Sequence, residues 1–145
     1  MQVENLTNDQ LAELLVTDRY DEELRRRALA LRRKIYGNKV FVRGLIEFTN
    51  YCKNNCYYCG LRCGNTNLQR YRLTADEILQ CGDEGYALGF RTFVLQGGED
   101  VYFTDEVLVP LVTELHHRHP DAAITLSVGE RSRESYARLR QAGAE

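Results

Sequence analysis

The 145-residue sequence contains no apolar stretch long enough to cross a bilayer and no surplus of basic residues. A membrane-spanning helix needs about 20 consecutive apolar residues. The net charge of −2 gives no general attraction to nucleic acid or to an anionic membrane surface. The N-terminus also lacks the basic and apolar segments of a secretory signal peptide. These absences predict a cytoplasmic protein that binds neither nucleic acid nor membranes.

The composition is that of an ordinary soluble domain, with 43% hydrophobic and 28% charged residues. A chain of this length can form one domain with a hydrophobic core. It has 5 cysteines, and four of them fall between positions 52 and 63. Because an odd, clustered set in a reducing compartment does not make a disulfide framework, this pattern favours metal binding.

Hydrophobic periodicity and capping signals predict alternating helices and strands. Thr7 with Gln10, and Thr74 with Glu77, form capping-box patterns that begin two of the helices. Pro110 is expected in or near the first turn of its helix. One predicted helix follows Thr7, and the others cover about 18–36, 74–89, 106–119 and 132–143. The predicted strands cover about 40–49, 91–96 and 122–128.

Two helices followed by three strand–helix repeats predict an α/β fold with a parallel sheet and right-handed crossovers. Since three strands cannot close a barrel, we interpret the chain as the front portion of a longer TIM-type (β/α) barrel, truncated at the C-terminus. Residues 1–38 would form a helical extension and residues 39–145 the partial barrel. An independent small α/β domain remains the alternative.

Polar and apolar residues alternate along the predicted strands. Arg43, Leu45, Glu47 and Thr49 would share one face of the first strand. Thr125 and Ser127 occupy the corresponding positions on the third. Polar residues on the face away from the helices indicate a barrel interior or a cleft that holds a ligand, because a fully covered sheet is apolar on both faces.

Each predicted strand is followed by an unusual polar segment. These segments are 52–59, 96–99 and 127–130. In (β/α) barrels the loops at the carboxyl ends of the strands build the active site. The three segments are therefore expected to lie together.

Cys52, Cys56 and Cys59 have the spacing C-x3-C-x2-C. Three thiolates on a four-iron cube would leave one iron without a protein ligand and open to chemistry. The spacing differs from ferredoxin patterns, and structural zinc sites normally use two separated cysteine pairs. Cys63 could supply a fourth ligand, so a zinc site or a four-cysteine electron-transfer cluster remains an alternative. Cys81 is expected to be a small buried apolar residue.

The segment Gly97-Gly98-Glu99 has two interpretations. It could be a simple turn that ends a strand, or its glycines could allow the backbone to approach the ammonium or carboxylate group of a ligand. Thr125 and Ser127 could likewise be core hydroxyl groups or ligand contacts. Arg43 and Glu47 could face a substrate or form an internal ion pair.

The cysteine loop, with the aromatic Tyr58 before its third cysteine, resembles the signature of the radical S-adenosylmethionine (SAM) superfamily. That resemblance implies an enzyme in which Cys52, Cys56 and Cys59 bind a 4Fe–4S cluster whose open iron chelates SAM. Reductive cleavage of SAM would then give a 5′-deoxyadenosyl radical. The segment Gly97-Gly98-Glu99 resembles the motif that holds the SAM amino group in this superfamily.

The sequence is also similar to HydE-type maturases of FeFe-hydrogenase over four segments, namely 42–62, 71–73, 89–100 and 124–130. This implies that Gln96, Thr125 and Ser127 belong to the SAM pocket and that Tyr58 lies on the adenine side. It also implies a role in H-cluster assembly on a small-molecule or organometallic substrate, with ferredoxin or flavodoxin as electron donor and other hydrogenase maturation proteins as partners. The resemblance assigns no catalytic residue, and biotin synthase and methylornithine synthase are related alternatives.

Two departures from the HydE pattern affect what the chain can do. Cys63 occupies a position where members of the family commonly carry arginine or another residue. The family barrel also continues well beyond position 145. We therefore expect the chain by itself to be inactive in the family reaction but able to bind the cluster.

Overall fold

A computed structural model describes residues 6–145 of the chain. The residues form two compact units, one ending at Phe41 and the other spanning Val42–Glu145. Two helices are followed by three strand–helix repeats, which confirms the predicted α/β organisation. The helices are α1 (Asn8–Val16), α2 (Asp21–Tyr36), α3 (Ala75–Ala87), α4 (Asp105–Arg118) and α5 (Arg133–Gln141), and the strands are β1 (Gly44–Thr49), β2 (Thr92–Gly97) and β3 (Ala123–Ser127).

The first unit contains α1 and α2, joined by a short 3₁₀ turn. The predicted capping box begins α1, because the Thr7 hydroxyl accepts from the Gln10 N–H and the Gln10 side chain accepts from the Thr7 N–H. Gly37 follows α2 with a φ of 65°, a conformation that favours glycine and ends the helix. The segment predicted as one helix from position 18 is thus a 3₁₀ turn, 18–20, followed by α2.

The second unit is built on a parallel sheet with strand order β1-β2-β3. Gln96 of β2 lies opposite Glu47 of β1 and Ser127 of β3. Beyond β3, Ala144 makes a parallel bridge to Ile124, and the Glu145 N–H donates to the Ile124 carbonyl oxygen at 2.9 Å. The backbone therefore runs beside β3 again after α5, in the same direction.

One face of the sheet is covered by helices and forms the core. Its side chains include Phe48, Phe93, Leu95 and Ile124, which are buried with residues of α3, α4 and α5. The strand residues between these core positions face the other side of the sheet and are exposed or half-buried. They are Leu45, Glu47, Val94, Gln96, Thr125 and Ser127. This alternation places polar side chains on the face away from the helices, as the sequence pattern predicts.

Strand β1 begins at Gly44, four residues later than predicted. Its pairing with β2 starts at Gly44 and Phe93, and residues 40–43 are exposed. A register shift between Glu47 and Thr49 turns Thr49 inward, where it is buried. The prediction that Thr49 shares the polar face was therefore wrong, because the strict period of two is broken by the irregularity.

Two further expectations about single residues need correction or refinement. Cys81 is exposed, not buried, because it lies outside the buried stripe of α3 formed by Ile78, Leu79 and Gly82. Pro110 is the sixth residue of α4, so it lies just beyond the first turn.

Among residues 6–145, no helix combines the length and apolar character needed to cross a bilayer.

Replacing Thr74 by alanine should lower the free energy of unfolding by about 1 kcal/mol. The Thr74 hydroxyl accepts from the Glu77 N–H at 3.3 Å, and the Glu77 carboxylate accepts from the Thr74 N–H at 2.7 Å. Alanine removes the bond from the Glu77 N–H and leaves the N-terminus of α3 without its cap. Urea denaturation measures the change, and Thr74→Ser is the control that keeps the hydroxyl. An equal loss in the serine variant would contradict the capping role.

Candidate functional site

The three polar segments singled out in the sequence meet at one edge of the sheet. Because all three strands are parallel, their carboxyl ends at Thr49, Gly97 and Ser127 lie along the same edge. The loops that follow these ends contain the cysteines, the glycine pair and residues 128–130. The predicted convergence of the three loops is therefore confirmed by the topology.

The cysteine loop runs from Asn50 to the start of α3 and is shaped by local backbone bonds. The Cys59 N–H donates to the Cys56 carbonyl oxygen at 3.1 Å, and the Cys63 N–H donates to the Asn54 carbonyl oxygen at 2.9 Å. All of its cysteines are free thiols; Cys52 and Cys59 are half-buried, whereas Cys56 is exposed. The loop is thus closed on itself by backbone hydrogen bonds and leaves its thiols available.

The donor set of the loop suits an iron–sulfur cluster. Three unpaired thiols within eight residues are the soft ligands that iron–sulfur clusters require. Within the described range 6–145, however, no three Cys, His, Asp or Glu side chains are gathered in a metal-binding arrangement. The residues fit the cluster by their chemistry, and cluster binding would require the thiols to turn toward a common point.

Gly98 brings the end of β2 into direct contact with the cysteine loop. A Cβ atom built on Gly98 would lie 2.2 Å from the Tyr51 carbonyl oxygen and 2.8 Å from the Cys52 Cβ atom. The Lys53 N–H also donates to the Glu99 carbonyl oxygen at 2.9 Å. Gly98 therefore allows a close backbone approach to the cysteine loop itself. The approach to a ligand that the sequence suggested stays a prediction.

Glu99 connects all three loops through its side chain. Its carboxylate accepts from the Asn54 side-chain amide at 2.9 Å and pairs with the Lys53 ammonium at 3.2 Å. Gly129, with a φ of 82°, lies so close that a Cβ atom there would be 2.4 Å from the Glu99 Cγ atom. Glycine at position 129 therefore makes room for the Glu99 side chain beside the cysteine loop.

The other predicted cofactor contacts lie in different environments. Gln96 is half-buried and its amide is 3.5 Å from the Glu47 carboxylate, while Ser127 is exposed at the end of β3. The Thr125 hydroxyl donates to the Phe93 carbonyl oxygen at 3.2 Å, which satisfies it within the sheet. Tyr58 is 93% exposed at the tip of the loop. The structure thus brings Gln96 and Ser127 to the edge of the sheet beside Gly97-Gly98-Glu99 and leaves Tyr58 in solvent.

A buried ionic network beside the site was missed by the sequence analysis. The Asp100 carboxylate accepts two bonds from the Arg72 guanidinium, at 2.6 and 2.9 Å, and one from the Thr49 hydroxyl at 2.7 Å. The Tyr102 N–H donates to it at 3.1 Å, and the Arg72 guanidinium carbon lies 3.9 Å from the Tyr51 ring centroid. The network joins the end of β1, the end of the cysteine loop and the segment after β2. The only sequence signal was an aspartate directly after the glycine segment.

The hydrogen bonds of this network favour the charged form of Asp100. Burial alone would raise the pKa of Asp100, but hydrogen bonds from Arg72, Thr49 and the Tyr102 N–H outweigh it and lower the pKa below its ordinary value. The same contact raises the pKa of Arg72. A fully ionised pair with several hydrogen bonds is a rigid connection between the three segments.

Comparison with known proteins shows what the sheet and its loops resemble. The chain is 43% identical over 141 residues to the FeFe hydrogenase maturase subunit HydE of Thermotoga maritima, which covers 96% of this chain and 40% of that protein. It is 36% identical over 104 residues to 3-methylornithine synthase of Methanosarcina acetivorans, covering 70% of this chain and 29% of that protein. No protein-family model matches. The chain spans about two fifths or less of the length of these relatives.

Solved structures of methylornithine synthase and of a hydrogenase maturase also resemble this chain. The crystal structure of methylornithine synthase (PylB) matches with a TM-score of 0.84 and 31% identity, covering 99% of this chain and 43% of that one. The maturase HydG matches with a TM-score of 0.82 over 98% of this chain and 33% of that one; at 24% identity this likeness concerns the fold.

The parallel sheet, the cysteine loop and these relatives together place the chain in the radical SAM superfamily. Its homologues include HydE, methylornithine synthase and 2-iminoacetate synthase.

Proposed function

We propose that this chain is the N-terminal part of a HydE-type radical SAM enzyme, with Cys52, Cys56 and Cys59 as ligands of a 4Fe–4S cluster. The observation that carries the proposal is the loop of free thiols held at the carboxyl edge of a parallel sheet by Gly98 and Glu99. Identity of 43% to HydE across 96% of the chain supports the particular type.

The cluster, when bound, would supply the electron that cleaves SAM to a 5′-deoxyadenosyl radical. The residues of this chain have the tasks of binding and positioning. Gly97, Gly98 and Glu99 offer backbone groups and a carboxylate beside the cysteine loop, which suits the amino group of SAM. Gln96 and Ser127 lie at the same edge and would contact the rest of the cofactor.

Thr125 and Tyr58 complete the proposed cofactor pocket. Thr125 lies on the face of the sheet that is free of helices, although its hydroxyl already donates within the sheet. The ring of Tyr58 is exposed and would move onto the adenine when SAM binds. A ring that is free in solvent gains apolar contact by such a movement.

The wider role is proposed by analogy with HydE. The whole protein would act in the cytoplasm on a small-molecule or organometallic precursor of the hydrogenase H-cluster. It would receive electrons from ferredoxin or flavodoxin and would work with other hydrogenase maturation proteins. Residues 1–38 would be a helical extension and residues 39–145 part of the barrel. A methylornithine synthase-like reaction is the second candidate, because that enzyme shares 36% identity and a fold match with a TM-score of 0.84.

Removing any one of Cys52, Cys56 or Cys59 should abolish cluster binding. After anaerobic reconstitution, the unchanged chain is expected to hold about four iron ions, and each Cys→Ala variant of these three should hold at least about tenfold less. Iron and sulfide analysis and electron paramagnetic resonance measure the outcome, and addition of SAM should change the spectrum of the unchanged chain.

Cys63→Ala and Cys81→Ala are the matched controls, since both thiols are exposed and lie outside the three-cysteine motif. Both should retain the cluster and its response to SAM. Loss of the metal in Cys63→Ala, with a spectrum that SAM leaves unchanged, would instead identify a four-cysteine iron–sulfur or zinc module. Retention of the cluster in Cys56→Ala would contradict the ligand assignment.

A further inference from the structure

Arg70 makes an unusual set of contacts with the backbone of the cysteine loop. Its guanidinium donates to the carbonyl oxygens of Leu61 at 2.8 Å, Arg62 at 2.7 Å and Asn65 at 3.4 Å, and also to the carbonyl oxygen of Asn50. Arginine has five N–H donors in a planar fork, so one side chain can serve several acceptors at once. All four acceptors belong to the loop that carries the cysteines.

The acceptors lie on both sides of the cysteine motif. Asn50 precedes Cys52 by two residues, and Leu61 follows Cys59 by two residues. The Arg70 side chain therefore holds the two ends of the motif close to one another. Backbone carbonyls that would otherwise need water are satisfied by a single cation.

The position of Arg70 is itself fixed at the end of β1. The buried Asn50 side chain accepts from the Tyr71 N–H at 2.7 Å and donates to the Gln69 carbonyl oxygen at 2.8 Å. These bonds hold the backbone on both sides of Arg70 against the residue that opens the cysteine loop. The guanidinium is thus attached to the sheet through its own backbone and to the far end of the loop through its donors.

The tip of the loop has a different environment. Tyr57 and Tyr58 are each 93% exposed, and Cys56 beside them is exposed. The base of the loop is held by Arg70, whereas the tip faces solvent. Because the three thiols are not yet gathered, the tip is the part that can rearrange when metal binds.

We propose that Arg70 is a positioning residue that sets the separation of Cys52 and Cys59 and thereby prepares the loop for the cluster. This inference rests on the proposed function of the three cysteines. Groups that orient metal ligands from outside the ligand set typically change metal affinity by about 10- to 100-fold when they are replaced. Lysine keeps the charge but presents one ammonium group, which cannot bond four separated carbonyls.

The test compares Arg70→Lys with Arg91→Lys. Arg91 is the matched control because its guanidinium also donates to two backbone carbonyls, those of Tyr86 at 3.1 Å and Phe90 at 2.8 Å, at the opposite end of β2. Both variants keep every trypsin site. The measurements are the rate of trypsin cleavage after Lys53 and Arg62 in the metal-free chain, the iron retained after anaerobic reconstitution, and the urea midpoint of unfolding.

Arg70→Lys is expected to raise the cleavage rate at Arg62 about tenfold, because the loop opens locally more often. It should lower the retained iron about tenfold. Its urea midpoint should match that of Arg91→Lys, which should keep the cleavage rate and the iron content of the unchanged chain.

The outcomes separate this inference from the proposed function. If the unchanged chain binds no cluster, the proposed function fails and this inference fails with it. If the unchanged chain binds the cluster and Arg70→Lys retains the same iron with the same cleavage rate, only the role of Arg70 is wrong. A global loss of stability in Arg70→Lys without a specific increase in loop cleavage would also overturn it, since Arg70 would then support the whole unit.

Discussion

Asp100→Asn should lower the free energy of unfolding by about 2–3 kcal/mol and loosen the cysteine loop. The Asp100 side chain is 2% exposed and accepts four hydrogen bonds from three segments. Asparagine is almost the same size, but it loses the charge and turns an amide toward the Arg72 donors. The cost stays below that of breaking a fully buried pair because Arg72 is 36% exposed and can reach water. Urea denaturation measures the loss.

Asp121→Asn is the control for this substitution. Asp121 accepts from the Tyr86 hydroxyl at 2.8 Å and from Arg91 at 3.1 Å, but this pair is exposed. Exposed ion pairs contribute only about 0–1 kcal/mol, so the control should change stability little. Equal losses in the two variants would show that the buried network at Asp100 has no special role.

The same network predicts that the free energy of unfolding depends on pH in the acidic range. The folded-state pKa of Asp100 lies below its ordinary value, so its contribution to stability is complete above the unfolded pKa of about 3.9 and is lost as the pH falls through the lower folded value. Asp100→Asn lacks this titration. The stability difference between the unchanged chain and the variant should therefore be constant near neutral pH and shrink below about pH 4. A difference that grows in acid would contradict the assignment.

Gly98→Ala should displace the cysteine loop and prevent cluster binding. The added Cβ atom would meet the Tyr51 carbonyl oxygen at 2.2 Å and the Cys52 Cβ atom at 2.8 Å, and the oxygen belongs to the backbone and cannot rotate away. Overpacking of this kind costs about 1–3 kcal/mol. It would also move Cys52 relative to the end of β2. Iron content after anaerobic reconstitution and urea denaturation measure the two effects.

Gly60→Ala provides a matched control within the same loop. A Cβ atom on Gly60 meets no atom of the described residues within 4 Å. This variant should bind iron as the unchanged chain does and should unfold at a similar urea concentration. If Gly98→Ala also binds iron normally, the close contact between β2 and the loop is not needed for the cluster.

The order of helices and strands could be predicted because it depends on local signals. The Thr74–Glu77 capping box, the glycine after α2 and the alternation along β3 each act within a few residues, so the sequence alone reveals them. The cysteine spacing is local in the same sense, and it predicted the cysteine loop after β1 and the superfamily; metal binding by the loop stays a prediction.

Features that depend on distant partners were missed or misplaced. Thr49 was expected on the polar face, but the irregularity in β1 turns it toward Asp100, 51 positions away. Cys81 was expected in the core, but the side of α3 that becomes buried is decided by the sheet and α4. Neither partner can be identified from neighbouring residues.

The sequence by itself determined the succession of helices and strands and the C-x3-C-x2-C spacing of the three cysteines, because both depend on residues close together in the chain. Only the tertiary structure decided how the loop is held: Gly98 against Tyr51, Asp100 against Arg72, and Arg70 across the base of the cysteine motif. The first two contacts join residues that are far apart in the chain and meet where the parallel strands align their carboxyl ends, whereas the Arg70 contacts depend on how the loop itself folds.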